Sequence, residues 1–261
     1  MKKIYAVVNF VIVLFVIFWN YWMNSGVING KTVGNVSNEY ANLFTPAGYA
    51  FAIWGLIFLS LLILTINQLR MAFAKGDSSN SILQIGPWLS IANIGNALWL
   101  WFWLHEQIGW SVIVMFVILF SLIQVIIRTN MERWDAPIKV IAFVWWPICL
   151  YSGWIAVASI ANVSAWLANI EWSPVFTEIQ WTVIIISVAG IVNLLMIYLR
   201  NMREFAGVGI WALIAIAVRH WEVIPALQWT AISWALILFV AISVHGYKRR
   251  KTNPLWKVFN G

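Results

Sequence analysis

Charge is scarce in this chain. Of 261 residues only 10% are Asp, Glu, Lys or Arg, against about 25% in a soluble domain. So few charges cannot clothe a water-facing surface, and residues 4–23 contain none. As a helix, a run of that length crosses a hydrocarbon core of about 30 Å. Cysteine is nearly absent too. A single Cys149 excludes an internal disulfide and a cysteine-based metal cluster, and its apolar surroundings suit a buried, inert thiol. Ionisable residues are missing from the centres of the apolar runs, where they would mark proton relays, voltage sensors or coupled transport. That absence argues against a proton-driven pump, and without a buried lysine a retinal Schiff base is excluded. No His/Glu grouping resembles a metal site or an intramembrane protease. The net charge of +7 does not point to nucleic acid, because the basic residues sit between apolar runs rather than on one face.

Apolar sequence is what the chain has in abundance. Eight runs are separated by short polar breaks: 4–23, 48–69, 82–104, 110–127, 138–167, 179–199, 206–221 and 226–246. The breaks carry loop chemistry. Residues 75–81 form a turn cluster, and Pro137 and Pro225 suit the first turn of a helix. The break at 200–205 is short enough for a tight hairpin. Lys2 and Lys3 before an apolar run could open a signal peptide, but the run is long and lacks a small-x-small cleavage site, so it reads as an uncleaved first helix. With the N-terminus and alternate loops placed in the cytoplasm, every Lys and Arg except Lys31 and Arg219 falls on that side. This is the positive-inside pattern. The expectation is an all-α polytopic transmembrane bundle of about eight spanning helices in the cell membrane, with both termini cytoplasmic.

Twenty tryptophans are more than interfacial belts need. They crowd toward the outer side, as at Trp19, Trp22, Trp54, Trp99, Trp101, Trp103, Trp110 and Trp166, which suggests an aromatic-walled cavity opening outward. Indole stacks on flat, apolar, extended π-systems. The longest loop, 24–47, is also outside and rich in Gly, Asn and Ser, and ordered loops of this length often act as lids. His105-Glu106 and Arg219-His220-x-Glu222 fall at outer helix ends, either as solvated ends or as a polar rim. Within the runs lie Asn93, Asn96, Gln124, Asn162 and Asn193, side chains that commonly bond one helix to another. Ser90-Ile91-Ala92-Asn93 recurs as Ser159-Ile160-Ala161-Asn162, a faint sign of an ancestral repeat.

Three stretches resemble the tryptophan-rich sensory protein family (TspO/MBR), relatives of the mitochondrial translocator protein and peripheral benzodiazepine receptor. They are Pro46-Ala47-Gly48-Tyr49-Ala50-Phe51-Ala52-Ile53-Trp54, Asn96-x-x-Trp99 followed by aromatics, and Trp154-x-x-x-Ala158-x-x-x-Asn162-x-x-x-Trp166. Spacing of i, i+4 puts the last four on one helical face. The resemblance covers residues 1–170 and implies a five-helix unit with a loop-capped pocket. Residues 171–261 then form a three-helix extension with a basic cytoplasmic tail. The implied ligand-binding residues are Trp54, Asn96, Trp99, Trp154, Ala158, Asn162 and Trp166, with no catalytic residue and no metal. The implied ligand is a porphyrin or haem-like tetrapyrrole, and no cofactor is obligatory. Cholesterol fits poorly, because the sterol-recognition pattern is absent after Asn162. The expected partners are the lipid bilayer and this small apolar ligand; nucleic acid is not among them, and a homodimer is left open. A facilitative transporter of an apolar metabolite and a tetrapyrrole-degrading enzyme are the alternatives.

Overall fold

A computed structural model describes residues 1–74, 80–172 and 175–249. Most of the turn cluster at 75–81 therefore lies outside the described residues, as do Arg250, Lys251, Trp256 and Lys257. Ten helices follow one another: α1 Lys2–Trp22, α2 Val33–Glu39, α3 Ile53–Phe73, α4 Ser81–Ile85, α5 Trp88–Leu104, α6 Ile108–Arg128, α7 Ile138–Asn169, α8 Glu178–Arg200, α9 Arg203–Arg219 and α10 Pro225–Lys248. No strand occurs among the described residues.

Local chemistry sets the helix boundaries. Thr32 and Thr177 each accept a hydrogen bond from the backbone N–H three residues on, and Asn35 and Gln180 reciprocate. These capping boxes start α2 and α8. Pro225 occupies the first turn of α10, where its missing N–H costs nothing. Gly26, at φ +86°, stops the turn that extends α1. Asn201, at φ +61°, closes α8 and turns the chain directly into α9.

Among the described residues, six helical stretches are long and apolar enough to cross a membrane: Lys2–Val27, Gly48–Phe73, Ile108–Arg128, Ile138–Asn169, Glu178–Arg200 and Pro225–Lys248. The other two expected spans are α5 and α9, each with 17 residues. At 1.5 Å per residue they rise about 25 Å. Both nevertheless run from one end of the bundle to the other. Trp103 and Glu106 at the end of α5 bond to the 28–52 segment. So do Arg219 and His220 at the end of α9. The start of α9 shares a hollow with Glu132 and His245 at the opposite end. The two ends are called here the lid end and the basic end.

The most buried of the six long stretches is α7, and it joins two groups of helices. α3, α5 and α6 pack near or against it on one side, with α1 behind α3 and α5; α9 packs on the other side, backed by α8 and α10. Small residues permit the close approaches, as is usual between helices in lipid. A Cβ at Gly153 of α7 would stand 2.9 Å from the Phe205 carbonyl oxygen at the start of α9, and one at Gly190 of α8 would overlap the Trp234 ring of α10.

Candidate functional site

The aromatic cavity lies at the lid end, between α3, α5 and α7. Its walls include Phe51, Trp54, Trp99, Trp103, Met115, Trp154, Ala158, Ala161, Asn162 and Ala165, and Ser37, Tyr40, Thr45 and Pro46 roof it. Trp99 and Trp103 stack one turn apart, with centroids 5.6 Å apart and planes at 21°. Trp154 takes Phe51 and Trp54 edge-on at 6.1 and 6.5 Å. These are favourable quadrupole geometries. Among the described residues, none that lines the cavity is charged. Its polar equipment is hydroxyl and amide.

Asn162 fixes one wall. It is 3% exposed, accepts a hydrogen bond from Trp99 Nε1 at 2.7 Å and donates one to Ser111 Oγ at 2.8 Å. The amide thus joins α5, α6 and α7. Asn93, its counterpart in the repeated tetrapeptide, only bonds back to the Leu89 carbonyl of its own helix.

The structure gathers Trp54, Trp99, Trp154, Ala158 and Asn162 around this cavity. It places two other residues elsewhere. Asn96 is fully buried at the α1–α5 seam, where its Oδ1 accepts from Asn20 Nδ2 at 2.8 Å. Trp166 is 36% exposed, with its indole against Gly109 at the start of α6. A helix turns about 100° per residue, so each i, i+4 step drifts by about 40°. Three steps carry Trp166 about 120° from Trp154, whereas Ala161 and Ala165 stay within about 20° of it and line the cavity. Phe51 and Trp103 were not among the implied ligand-binding residues, although both lie in the stretches that carried the resemblance. Of the roof residues, Ser37, Tyr40 and Thr45 had no local signal beyond their loop, while Pro46 opens the first of those stretches.

The 28–52 segment is a structured lid. Lys31 Nζ meets Glu39 Oε2 and Glu106 Oε1, each at 2.6 Å. Tyr40 donates its hydroxyl to Glu106 Oε2 at 3.2 Å, and Trp103 Nε1 donates to the Val33 carbonyl at 3.3 Å. The hydrogen bond from Lys31 holds the Glu106 carboxyl below its ordinary value, and Glu106 in turn raises the Lys31 ammonium. The other edge is held by α9 and the residue that caps it. The Ala215 carbonyl accepts from Ala47 N, Trp211 Nε1 donates to the Ala50 carbonyl, and His220 Nε2 lies 2.7 Å from the Leu43 carbonyl. One of the helices read as an extension, α9, therefore clamps the lid over the cavity.

In this closed arrangement the cavity holds about 50 Å³. A larger apolar cleft of about 440 Å³ lies on the outer flank of α7, between α6 and α8, with Val157 in the walls of both.

No curated protein and no solved structure matches the chain. A family model described as TSPO-like protein matches residues 6–244, through the lid, the cavity and the C-terminal helices alike. This multi-pass helical membrane protein belongs to the TSPO-like protein family.

Proposed function

We propose that the chain binds a flat, apolar ligand of the porphyrin class in the cavity beneath the lid, without covalent chemistry. The observation that carries this reading is the lining itself. Four indoles and a phenyl ring surround a hollow whose floor is Ala158, Ala161 and Ala165 and whose roof is a separate, latched segment. Such a lining offers π-faces and excludes water, as a stacked macrocycle requires.

Ligand pockets usually measure about 300–1,000 Å³, well above the present 50 Å³. Binding therefore requires the indoles to separate, and a ligand arriving from water also requires the lid to release Glu106 from Lys31. A ligand already dissolved in the bilayer has a shorter path, through the cleft that Val157 shares with the cavity. In this reading the protein sits in the cell membrane with its basic end cytoplasmic and its lid outside. Arg70, Arg128, Arg133, Lys139, Arg200, Arg203 and Lys248 at one end, against Lys31 and Arg219 at the other, support that orientation. Titration of the purified protein with protoporphyrin, followed by tryptophan fluorescence, tests the reading. Saturable quenching at one equivalent is expected, and linear, non-saturating quenching would refute it.

A further inference from the structure

A second cluster lies at the basic end, away from the lid. Glu132 comes from the loop between α6 and α7, Cys149 from α7 and Glu204 from the first turn of α9. One ligand atom of each, two carboxylate oxygens and the sulfur, lie within 4.8 Å of one another. The Glu132 backbone is pinned there, because its carbonyl accepts from Asn201 Nδ2 at 2.6 Å. Cys149 is wholly buried.

Two atoms in the adjoining hollow lack partners. This hollow, of about 160 Å³, is lined by Glu132, Arg203, Glu204 and His245 among others. Glu204 Oε2 is buried without a hydrogen bond, and so is Nδ1 of His245, a residue only 8% exposed. A buried polar atom left unpaired is costly, and an anionic one more so. The imidazole is nevertheless held in place, with Nε2 3.1 Å from Asn201 Oδ1. If Nε2 donates in that bond, Nδ1 carries the lone pair.

We propose that Glu132, Cys149 and Glu204 bind a single divalent transition-metal ion of the zinc class, with the fourth position open to solvent from the adjoining hollow. The donor set selects the metal. A thiolate beside carboxylates suits a borderline ion such as Zn²⁺ or Co²⁺, whereas Ca²⁺ and Mg²⁺ require oxygen donors throughout. Charge also balances. Three anionic ligands leave one negative charge around a divalent ion, and the Arg203 guanidinium lines the same hollow as Glu132 and Glu204. Binding releases the thiol proton to solvent and changes no oxidation state. The sequence concealed the site because its ligands lie on three elements. A single cysteine rules out a cysteine cluster but not a mixed one. The site would tie α7 and α9 together at the basic end, independently of what the aromatic cavity binds.

Cobalt reports this chemistry directly, since the chain has a single cysteine. The full chain, purified without a polyhistidine tag and stripped with chelator, is titrated with Co²⁺. One equivalent should bind with a thiolate-to-cobalt absorption in the near ultraviolet, and Zn²⁺ should displace it. Cys149→Ser should abolish that absorption. Glu132→Gln and Glu204→Gln, which preserve shape, should each weaken binding at least about tenfold while the metal-free protein melts normally. Absence of a saturable equivalent overturns the proposal. So does an absorption that survives Cys149→Ser, or an affinity unchanged in both glutamine variants.

Discussion

Removing the Asn162 amide should cost the protein the placement of Trp99. Asn162→Ala deletes the acceptor of a 2.7 Å bond from the indole N–H and the donor of a 2.8 Å bond to Ser111. Ser111 is little affected, since its hydroxyl still donates to the Ile108 carbonyl. The loss therefore falls on Trp99, whose ring is 6% exposed. An unpaired buried donor costs about 1–3 kcal/mol. Two effects lower that figure. Side-chain bonds between helices in lipid average about 0.6 kcal/mol and reach about 1.7. The adjoining 50 Å³ of cavity also exceeds the roughly 10–15 Å³ that a water needs, so solvent can replace part of the amide. A coupling of about 0.6–1.7 kcal/mol between Asn162→Ala and Trp99→Phe is the expected result. Reversible unfolding of the two single variants and the double in mixed detergent micelles measures it. Coupling below about 0.5 kcal/mol, the scatter of independent sites, would show that the amide does not hold this wall.

The lid latch makes a prediction about pH. Glu106 is lowered by Lys31, so its contribution is present above the ordinary carboxyl value of 4.5 and fades as pH falls through the depressed value. Lys31 is raised, so its contribution is complete below its ordinary value of 10.5 and fades as pH rises through the raised one. Amide exchange protection of residues 31–40, corrected for intrinsic rates, should stay level between these limits and fall outside them. Glu106→Gln should lower it at neutral pH. The α7–α9 seam makes another prediction. Gly153→Ala would press a Cβ against the Phe205 carbonyl and Val208 and should cost about 1–3 kcal/mol by overpacking. Gly207→Ala meets nothing within 4 Å and should gain up to about 1 kcal/mol of helix propensity. Melting temperatures in detergent check the pair.

The helices were legible because polar breaks in an apolar chain leave few choices. The same is true of the lid, since a Gly- and Asn-rich stretch between two apolar runs has no membrane to cross. α5 and α9 were read as the runs 82–104 and 206–221; the chain turns at Gly86, so α5 begins only at Trp88, and tertiary contacts show how these two shorter helices run. The cavity was legible where motif and helical phase agree, at Trp54, Trp99, Trp154, Ala158 and Asn162. It was not legible at Trp166, where spacing by fours outruns the helical period, nor at Asn96, which faces Asn20. The clamp by Trp211, Ala215 and His220 joins residues about 160–180 positions apart, and no local pattern encodes such a pairing.

The central claim, that the cavity beneath the lid is a ligand site, is tested most directly at Ala158. This half-buried residue lines the cavity one turn from both Trp154 and Asn162. A leucine there would project into the hollow rather than into a packed seam. Protoporphyrin titration of Ala158→Leu beside the unaltered protein, with melting measured on the same samples, is decisive. Near-normal melting is expected, with affinity reduced at least about tenfold, equivalent to roughly 1.4 kcal/mol. Unchanged affinity in a stable Ala158→Leu protein would contradict it, as would a lowered melting temperature with normal binding by the folded fraction.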